Sequence, residues 1–233
     1  MLLTDKVAMI TGGGRGIGEA SARRLAEHGA KVILADMNLE AAQAVAADIN
    51  AQGGEARALE FNVAEFEAIP EKVAAAKELF GRIDILVNVA GITGSTPIEE
   101  ITLESWDRMM DIDLKSMFFV TQAVFAIMKE QGYGKLVHMS SLAALRGGRS
   151  SDASYACAKA GILNLSKCFA LTAFVSDRDR ILAASGAGRR DLADRSVSQP
   201  LEKLMDSRKP YQSDGSPEKA LLPCEGSPRA LLC

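Results

Sequence analysis

This chain of 233 residues lacks an excess of charge of one sign, metal-binding cysteine pairs and long apolar runs. Its 27 basic and 30 acidic side chains nearly cancel, which argues against a nucleic-acid or anionic-membrane surface. No apolar run approaches the roughly 20 residues that cross a bilayer, and no signal peptide is legible. The four cysteines and two histidines lack metal-ligand spacing. We therefore expect a cytoplasmic protein with no metal, membrane or nucleic-acid partner.

Apolar strand segments alternate regularly with helical segments. Strands are predicted at 6–11, 31–35, 56–61, 83–87 and 135–140, and helices at 16–28, 38–52, 66–80, 102–129 (interrupted near Asp113) and 153–171. Apolar strands without alternation indicate a parallel sheet that is covered on both faces. The predicted fold is α/β, a Rossmann-type doubly wound sheet of strand order 3-2-1-4-5, which reverses between strands one and four.

The alternation of strands and helices ends near residue 173. Residues 173–233 contain five of the seven prolines, among scattered Arg, Ser and Asp residues. This composition predicts a disordered extension that follows a nucleotide-binding domain over residues 1–172. We expect no strand in it, so that strand five would form an exposed edge of the sheet. The composition is also typical of an alternative or frame-shifted ending.

A glycine-rich loop, Thr11–Gly18, joins the first strand to the first helix. Glycine permits backbone conformations and close approaches that a Cβ would block, and the N-terminus of a helix attracts a pyrophosphate. Considered alone, the loop could equally be a structural turn. The predicted phosphate-binding residues are Gly12, Gly14, Arg15, Gly16, Ile17 and Gly18.

Asp36 ends the second strand, 18 residues after Gly18. An acid at this position accepts hydrogen bonds from the ribose of NAD and repels the 2′-phosphate of NADP, although an ordinary helix N-cap is an alternative. Arg15 could instead help to bind that phosphate, but the acid favours NAD over NADP. At the end of strand four, Asn88, Ala90 and Gly91 would let a cofactor lie against the backbone.

Tyr155 and Lys159 are four residues apart and share one face of a helix. A free tyrosine titrates near pH ~10, so acid–base work near neutrality needs an adjacent cation. Ser141, at the end of strand five, could hold a substrate oxygen. By itself, the Tyr–Lys pair could also be two unrelated surface residues.

Together these motifs resemble the short-chain dehydrogenase/reductase family over about residues 6–171. The resemblance implies an NAD(P)-dependent oxidoreductase that transfers a hydride between the cofactor and a secondary alcohol or ketone, in a homo-oligomeric dimer or tetramer. It implies that Tyr155 is the general acid/base and that Ser141 orients the substrate oxygen. Lys159 would lower the pKa of Tyr155 and hold the nicotinamide ribose, and Asn62 and Val63 would flank the adenine.

The chain departs from the family pattern at three places. Asn62 replaces an Asp, and Asp113 replaces an Asn that positions a proton-relaying water. A carboxylate at this position would stabilise Lys159 and offset its effect on Tyr155. The family's sixth and seventh strands, Pro-Gly turn and substrate-binding helices are not legible after residue 173. Two alternatives follow: a truncated or frame-shifted member that binds nucleotide weakly with little activity, and a non-catalytic nucleotide-sensing protein.

Overall fold

The described part of the chain forms a sheet of six parallel strands in the order β3-β2-β1-β4-β5-β6. The computed structural model describes residues 1–147 and 152–174, and the backbone of residues 180–187. The strands are β1 Val7–Thr11, β2 Lys31–Asp36, β3 Glu55–Glu60, β4 Ile85–Asn88, β5 Tyr133–Ser140 and β6 Arg180–Ala187. The predicted order 3-2-1-4-5 is confirmed, and the order of the strands reverses between β1 and β4 as expected.

Helices connect successive strands, as right-handed crossovers in a parallel sheet require. They are α1 Gly16–Glu27, α2 Leu39–Ala51, α3 Ile69–Phe80, α4 Leu103–Met110, α5 Ser116–Gln131, α6 Ala143–Arg146 and α7 Ala153–Phe174. Short 3₁₀ turns lie at Phe66–Ala68 and Ile98–Glu100. The interruption predicted near Asp113 is a π-helical turn, Asp111–Lys115, that joins α4 directly to α5. Within the described ranges, no helix is long and apolar enough to cross a bilayer.

The core has two layers, one on each face of the sheet. In β1, Met9 belongs to the layer on the side of α3, α5 and α7, whereas Ala8 and Ile10 belong to the layer on the side of α1 and α2. Successive side chains of a strand point to opposite faces, and all five residues of β1 are buried. Burial on both faces explains why the strands read as continuous apolar runs.

The prediction that the chain lacks a sixth strand, leaving β5 as an open edge, is wrong. β6 pairs in parallel with β5 along its whole length, from Tyr133 opposite Arg180 to Ser140 opposite Ala187. The strand is rich in Ala, Ser and Gly, which have weak strand propensity, so pairing with β5 determines its conformation. The predictions that the rest of the tail is disordered and lacks the family's seventh strand and Pro-Gly turn concern residues outside the described ranges.

The strand register brings the carboxyl ends of the central strands together. Thr11, the last residue of β1, lies opposite Ala35 in β2 and Asn88 in β4. Asn88 in turn lies opposite His138 in β5. The loops that follow β1, β2, β4 and β5 therefore meet at one edge, on both sides of the point where the strand order reverses, and open α/β sheets bind their ligands there.

Candidate active site

The loop between β1 and α1 contains glycine at positions where a side chain would not fit. Gly12 has a φ of +67°, and a Cβ on it would lie 3.0 Å from the backbone of Ala90. A Cβ on Gly18 would overlap the carbonyl oxygen of Gly12. Arg15, the N-cap residue of α1, makes no capping hydrogen bond with its side chain. The N–H groups of the first turn therefore suit an anion, and the loop fits a pyrophosphate.

The first turn of α1 starts at Gly16, whose φ of +58° lies in the left-handed region that favours glycine. Ile17 follows it, and its carbonyl accepts a hydrogen bond of 2.7 Å from the hydroxyl of Ser21. That hydroxyl is thus used within the helix rather than toward the loop. The predicted phosphate-binding residues accordingly form one continuous loop and helix start.

Asp36 ends β2 with its carboxylate against the glycine loop. Its Oδ2 accepts from the N–H of Gly14 at 2.9 Å, and its Oδ1 accepts from the N–H of Asn38 at 2.9 Å. The N-cap residue of α2 is Asn38, whose side chain accepts from the N–H of Ala41 at 3.0 Å. Asp36 is therefore not the N-cap of α2, which the sequence had left as an alternative, and its carboxylate lies beside the glycine loop.

The side chain of Thr11, at the end of β1, forms hydrogen bonds with the end of β4. The Thr11 hydroxyl donates to Asn88 Oδ1 at 3.3 Å and accepts from the N–H of Ala90 at 3.3 Å. Beyond it, a Cβ on Gly91 would lie 3.1 Å from Oδ1 of Asp113. The predicted residues Asn88, Ala90 and Gly91 thus form a close-fitting backbone turn beside the glycine loop.

A buried chain of hydrogen bonds continues from Asn88 into the core. The Thr121 hydroxyl donates to the carbonyl of Met117 at 2.6 Å, so it accepts from Asn88 Nδ2 at 2.9 Å and from His138 Nε2 at 3.0 Å. Because the Thr121 hydroxyl can only accept from the ring, we assign His138 as neutral with its proton on Nε2. The Ser166 hydroxyl lies 2.8 Å from Nδ1 and 3.0 Å from the carbonyl of Ile162, and these two acceptors share its single hydrogen. Burial lowers the pKa of His138 to about 4.

Asp113 and Lys159 form a buried ion pair. Lys159 Nζ lies 2.9 Å from Asp113 Oδ2 and donates to the carbonyl of Met139 at 3.3 Å. The other carboxylate oxygen, Oδ1, accepts from the N–H of Ile92 at 2.7 Å. Burial raises the pKa of the Asp113 carboxyl, while the Lys159 charge and the Ile92 N–H oppose that rise. The contact that the sequence predicts between Asp113 and Lys159 is therefore direct.

Tyr155 and Ser141 lie at the same edge as this pair. Tyr155 is in the first turn of α7, and Lys159 Nζ lies 5.5 Å from the centroid of its ring. Ser141 follows β5, and its Oγ accepts from the N–H of Ala143 at 3.2 Å. The preceding residue, Ser140, donates its hydroxyl to the carbonyl of Lys159 at 2.8 Å. This hydrogen bond joins α7 to the end of β5. Ser141, Tyr155 and Lys159 therefore lie at one edge of the sheet.

Asn62 and Val63 follow β3 at the outer part of this edge. Asn62 Oδ1 accepts from the N–H of Ala64, and its Nδ2 donates to Glu65 Oε1, both at 3.1 Å. Val63 packs against the core layer on the α3 side. The amide that replaces the family's usual Asp is thus held in a local turn.

Asp152, a buried acid that precedes α7, is not among the residues that the sequence pattern predicts. Its side chain is 6% exposed, and its Oδ1 accepts from the N–H of Tyr155 at 2.7 Å. An Asp immediately before a helical segment is a recognised N-cap signal, so the residue could have been found. Its proximity to the segment after β4 could not, because that contact joins residues far apart in sequence.

The fold and the arrangement of these side chains define a Rossmann-type α/β protein. A family model described as short chain dehydrogenase matches residues 6–174, and the chain belongs to this family. A second model, described as Stage V sporulation protein T C-terminal, transcription factor, matches residues 156–228. The two matches overlap in α7, and the rest of the second match lies mostly outside the described residues.

Individual relatives agree with the family assignment. The chain is 34% identical over 169 residues to a 3-oxoacyl-[acyl-carrier-protein] reductase of Synechocystis, covering 72% of this chain and 68% of the relative. It is 38% identical over 168 residues to D-threitol dehydrogenase of Mycolicibacterium smegmatis, covering 72% and 64%. The crystal structure of gox2181 is 31% identical, with a TM-score of 0.77, and the match covers 87% of this chain and 80% of that one. These named relatives are oxidoreductases, as the resemblance implies.

Proposed function

We propose that this protein transfers a hydride between NAD(H) and a secondary alcohol or ketone. The observation that carries the proposal is the placement of Tyr155 beside the buried Lys159–Asp113 pair, at the same sheet edge as the glycine loop. When bound, a nicotinamide dinucleotide supplies the hydride acceptor or donor. The protein's own residues must bind it, orient the substrate and move one proton.

Tyr155 is the proton-transfer residue in this proposal. In alcohol oxidation its phenolate accepts the hydroxyl proton of the substrate, and in ketone reduction its phenol returns a proton to the oxygen. The Lys159 ammonium, 5.5 Å from the ring centroid, stabilises the phenolate electrostatically. Because Ser141 Oγ already accepts from the Ala143 N–H, its hydroxyl hydrogen is available to donate to the substrate oxygen.

Asp36 favours NAD over NADP in this proposal. Its carboxylate is anchored by the N–H groups of Gly14 and Asn38, each at 2.9 Å, and so it is held beside the loop. The carboxylate can accept hydrogen bonds from ribose hydroxyls, whereas a 2′-phosphate at that position would meet a like charge. Arg15, at the N-cap of α1, would not remove this repulsion, since the acid occupies the position that the phosphate needs.

The proposal is tested by separating binding from turnover. The chain is titrated with NADH and NADPH by nicotinamide fluorescence. It is then assayed with a 3-oxoacyl thioester and D-threitol, which the names of its relatives suggest, and with simple secondary alcohols. We expect tighter binding of NADH, turnover of at least one substrate, and a loss of turnover of at least a hundredfold in Tyr155→Phe with binding retained. NADH binding without turnover of any substrate would favour the non-catalytic alternative, and absence of both would contradict the proposal.

The surface formed by α4 and α5 suits a homo-oligomer. Leu103, Phe118 and Phe119 are exposed by 81%, 36% and 37%, and the two phenylalanine rings are in edge contact. Exposed aromatic clusters of this kind mark protein–protein contacts. Together with the homo-oligomer that the family resemblance implies, this exposed surface leads us to propose a dimer that pairs through it. Light scattering of the purified chain, with Phe119→Glu for comparison, tests it.

A further inference from the structure

The short segment Ile92–Gly94, which follows the turn after β4, lies against two buried carboxylates. At its start, the N–H of Ile92 donates to Asp113 Oδ1 at 2.7 Å, and Asp113 is the partner of Lys159. At its end, the carbonyl of Gly94 accepts from the N–H of Asp152 at 3.2 Å. Asp152 belongs to none of the binding or proton-transfer groups described above.

Asp152 contacts both this segment and α7, the helix that contains Tyr155. Its Oδ1 accepts from the Tyr155 N–H and from the Ser154 hydroxyl, both at 2.7 Å. Its Oδ2 lies so close to Gly94 that a Cβ there would overlap it. The same side chain therefore caps α7 and supports the segment after β4, and its 6% exposure leaves it little freedom to move.

The two carboxylates are also close enough to interact electrostatically. The charge of Asp152 adds to burial in raising the pKa of Asp113, against the opposing effect of Lys159. Asp113, in the π turn, thus interacts with the Lys159 ammonium and with a second buried acid at the start of α7. The segment Ile92–Gly94 connects them through its backbone.

Resting on the proposed function, we propose that Asp152 is a positioning residue that couples the segment Ile92–Gly94 to Tyr155. The carboxylate packs against Gly94 while it accepts from the Tyr155 N–H, and so it sets the distance between the first turn of α7 and the backbone after β4, beside which the reacting end of the cofactor would lie. Movement of either element would then displace the other. An offset of about 1 Å in such a geometry can cost on the order of a hundredfold in rate.

Three variants separate positioning from simple stabilisation. Asp152→Ala removes the cap and the carboxylate contact with Gly94 and keeps the main-chain hydrogen bond to the Gly94 carbonyl. Asp152→Asn keeps an oxygen that can accept from Tyr155 and Ser154. Thr102→Ala removes the N-cap of α4, which accepts from the Ser105 N–H, and serves as the matched control because loss of either cap costs about 1 kcal/mol. We expect Asp152→Ala to lower kcat by about tenfold to a hundredfold with KM for the dinucleotide changed less than about threefold. Asp152→Asn and Thr102→Ala should remain within about threefold of wild type in kcat.

Amide hydrogen exchange provides a readout that needs no enzymatic activity. In Asp152→Ala, exchange should rise both in peptides spanning residues 92–94 and in those spanning 152–156, while Asp152→Asn and Thr102→Ala leave both unchanged. A rise confined to 152–156 would show that Asp152 is only a helix cap and would overturn the inference. An unchanged kcat in Asp152→Ala would overturn it as well. If wild type neither binds dinucleotide nor turns over any substrate, the proposed function fails, while the exchange data still decide whether Asp152 couples the two segments.

Discussion

Replacing Asp113 by Asn should move the pH dependence of alcohol oxidation to lower pH. Lys159 Nζ lies 2.9 Å from Asp113 Oδ2 and 5.5 Å from the centroid of the Tyr155 ring. The carboxylate therefore lies within roughly 8 Å of the ring centre, where two unit charges interact by about 2 kcal/mol at an effective dielectric constant of about 20. Removing the negative charge favours the phenolate, so the active base should persist to lower pH.

An interaction of about 2 kcal/mol corresponds to roughly 1.5 pH units at 1.36 kcal/mol per unit. Because solvent and bound cofactor increase the screening, we expect the acidic limb of kcat/KM for oxidation to move down by about one unit. The assay follows kcat/KM for the best substrate from about pH 5 to about pH 10, at constant ionic strength because salt screens surface charges. NADH binding is measured in parallel, so that weakened binding is not mistaken for a shift.

Asp111→Asn is the matched control for this experiment. Asp111 lies in the same π turn, but it is partly exposed and pairs with Lys115 at 3.0 Å on the surface. Its loss should leave the pH profile unchanged. Superimposable profiles for wild type and Asp113→Asn would refute the reasoning, as would an equal shift in both variants. Asp113→Asn should also unfold at a lower temperature, because a buried Lys159 without its acid costs roughly 3–5 kcal/mol.

Three further predictions concern the cofactor site and the core. Asp36→Asn should reduce the preference for NADH over NADPH by at least about tenfold, equivalent to about 1.4 kcal/mol, in paired fluorescence titrations; an unchanged ratio would mean that another group excludes the 2′-phosphate. Gly18→Ala should abolish dinucleotide binding and lower stability by about 1–3 kcal/mol, because its Cβ would overlap the Gly12 carbonyl oxygen; calorimetry and titration check both effects. In the folded state His138 has a pKa of about 4, whereas its imidazole in the unfolded chain is protonated below pH ~6.5. The free energy of unfolding should therefore fall by up to about 3 kcal/mol as the pH drops between these two values. Denaturation curves of His138→Asn should show a flatter acid limb than those of wild type or His28→Asn, and parallel limbs in all three proteins would contradict this explanation.

The central part of the fold could be predicted because local sequence and tertiary structure agree there. β1 is apolar throughout and buried on both faces, and Gly12 and Gly18 occupy positions that a side chain would block. Asp113 and Lys159 were expected to interact, and they do. Each of these features shows directly in the residue types and their spacing.

The remaining features depend on contacts that a linear pattern does not record. β6 is formed from residues with weak strand propensity, and only pairing with β5 shows it. Asp152 looks like an ordinary N-cap until Gly94, distant in sequence, is placed against it. The neutral state of His138 likewise follows from its burial and its two hydroxyl partners. Contacts with residues distant in sequence therefore determine these three features, which the local sequence does not predict.

The π turn between α4 and α5 constrains which insertions and deletions the chain can tolerate. Each residue of an α-helix rotates the chain by about 100°, and a π turn amounts to one extra residue within a helical rod. Deleting one residue from Asp111–Lys115 would restore a regular helix and rotate α4 relative to α5. Either the apolar face of α5 or the Asp113 carboxylate would then turn away from its partner. Length changes should therefore not be tolerated within this turn, although it lies outside the sheet.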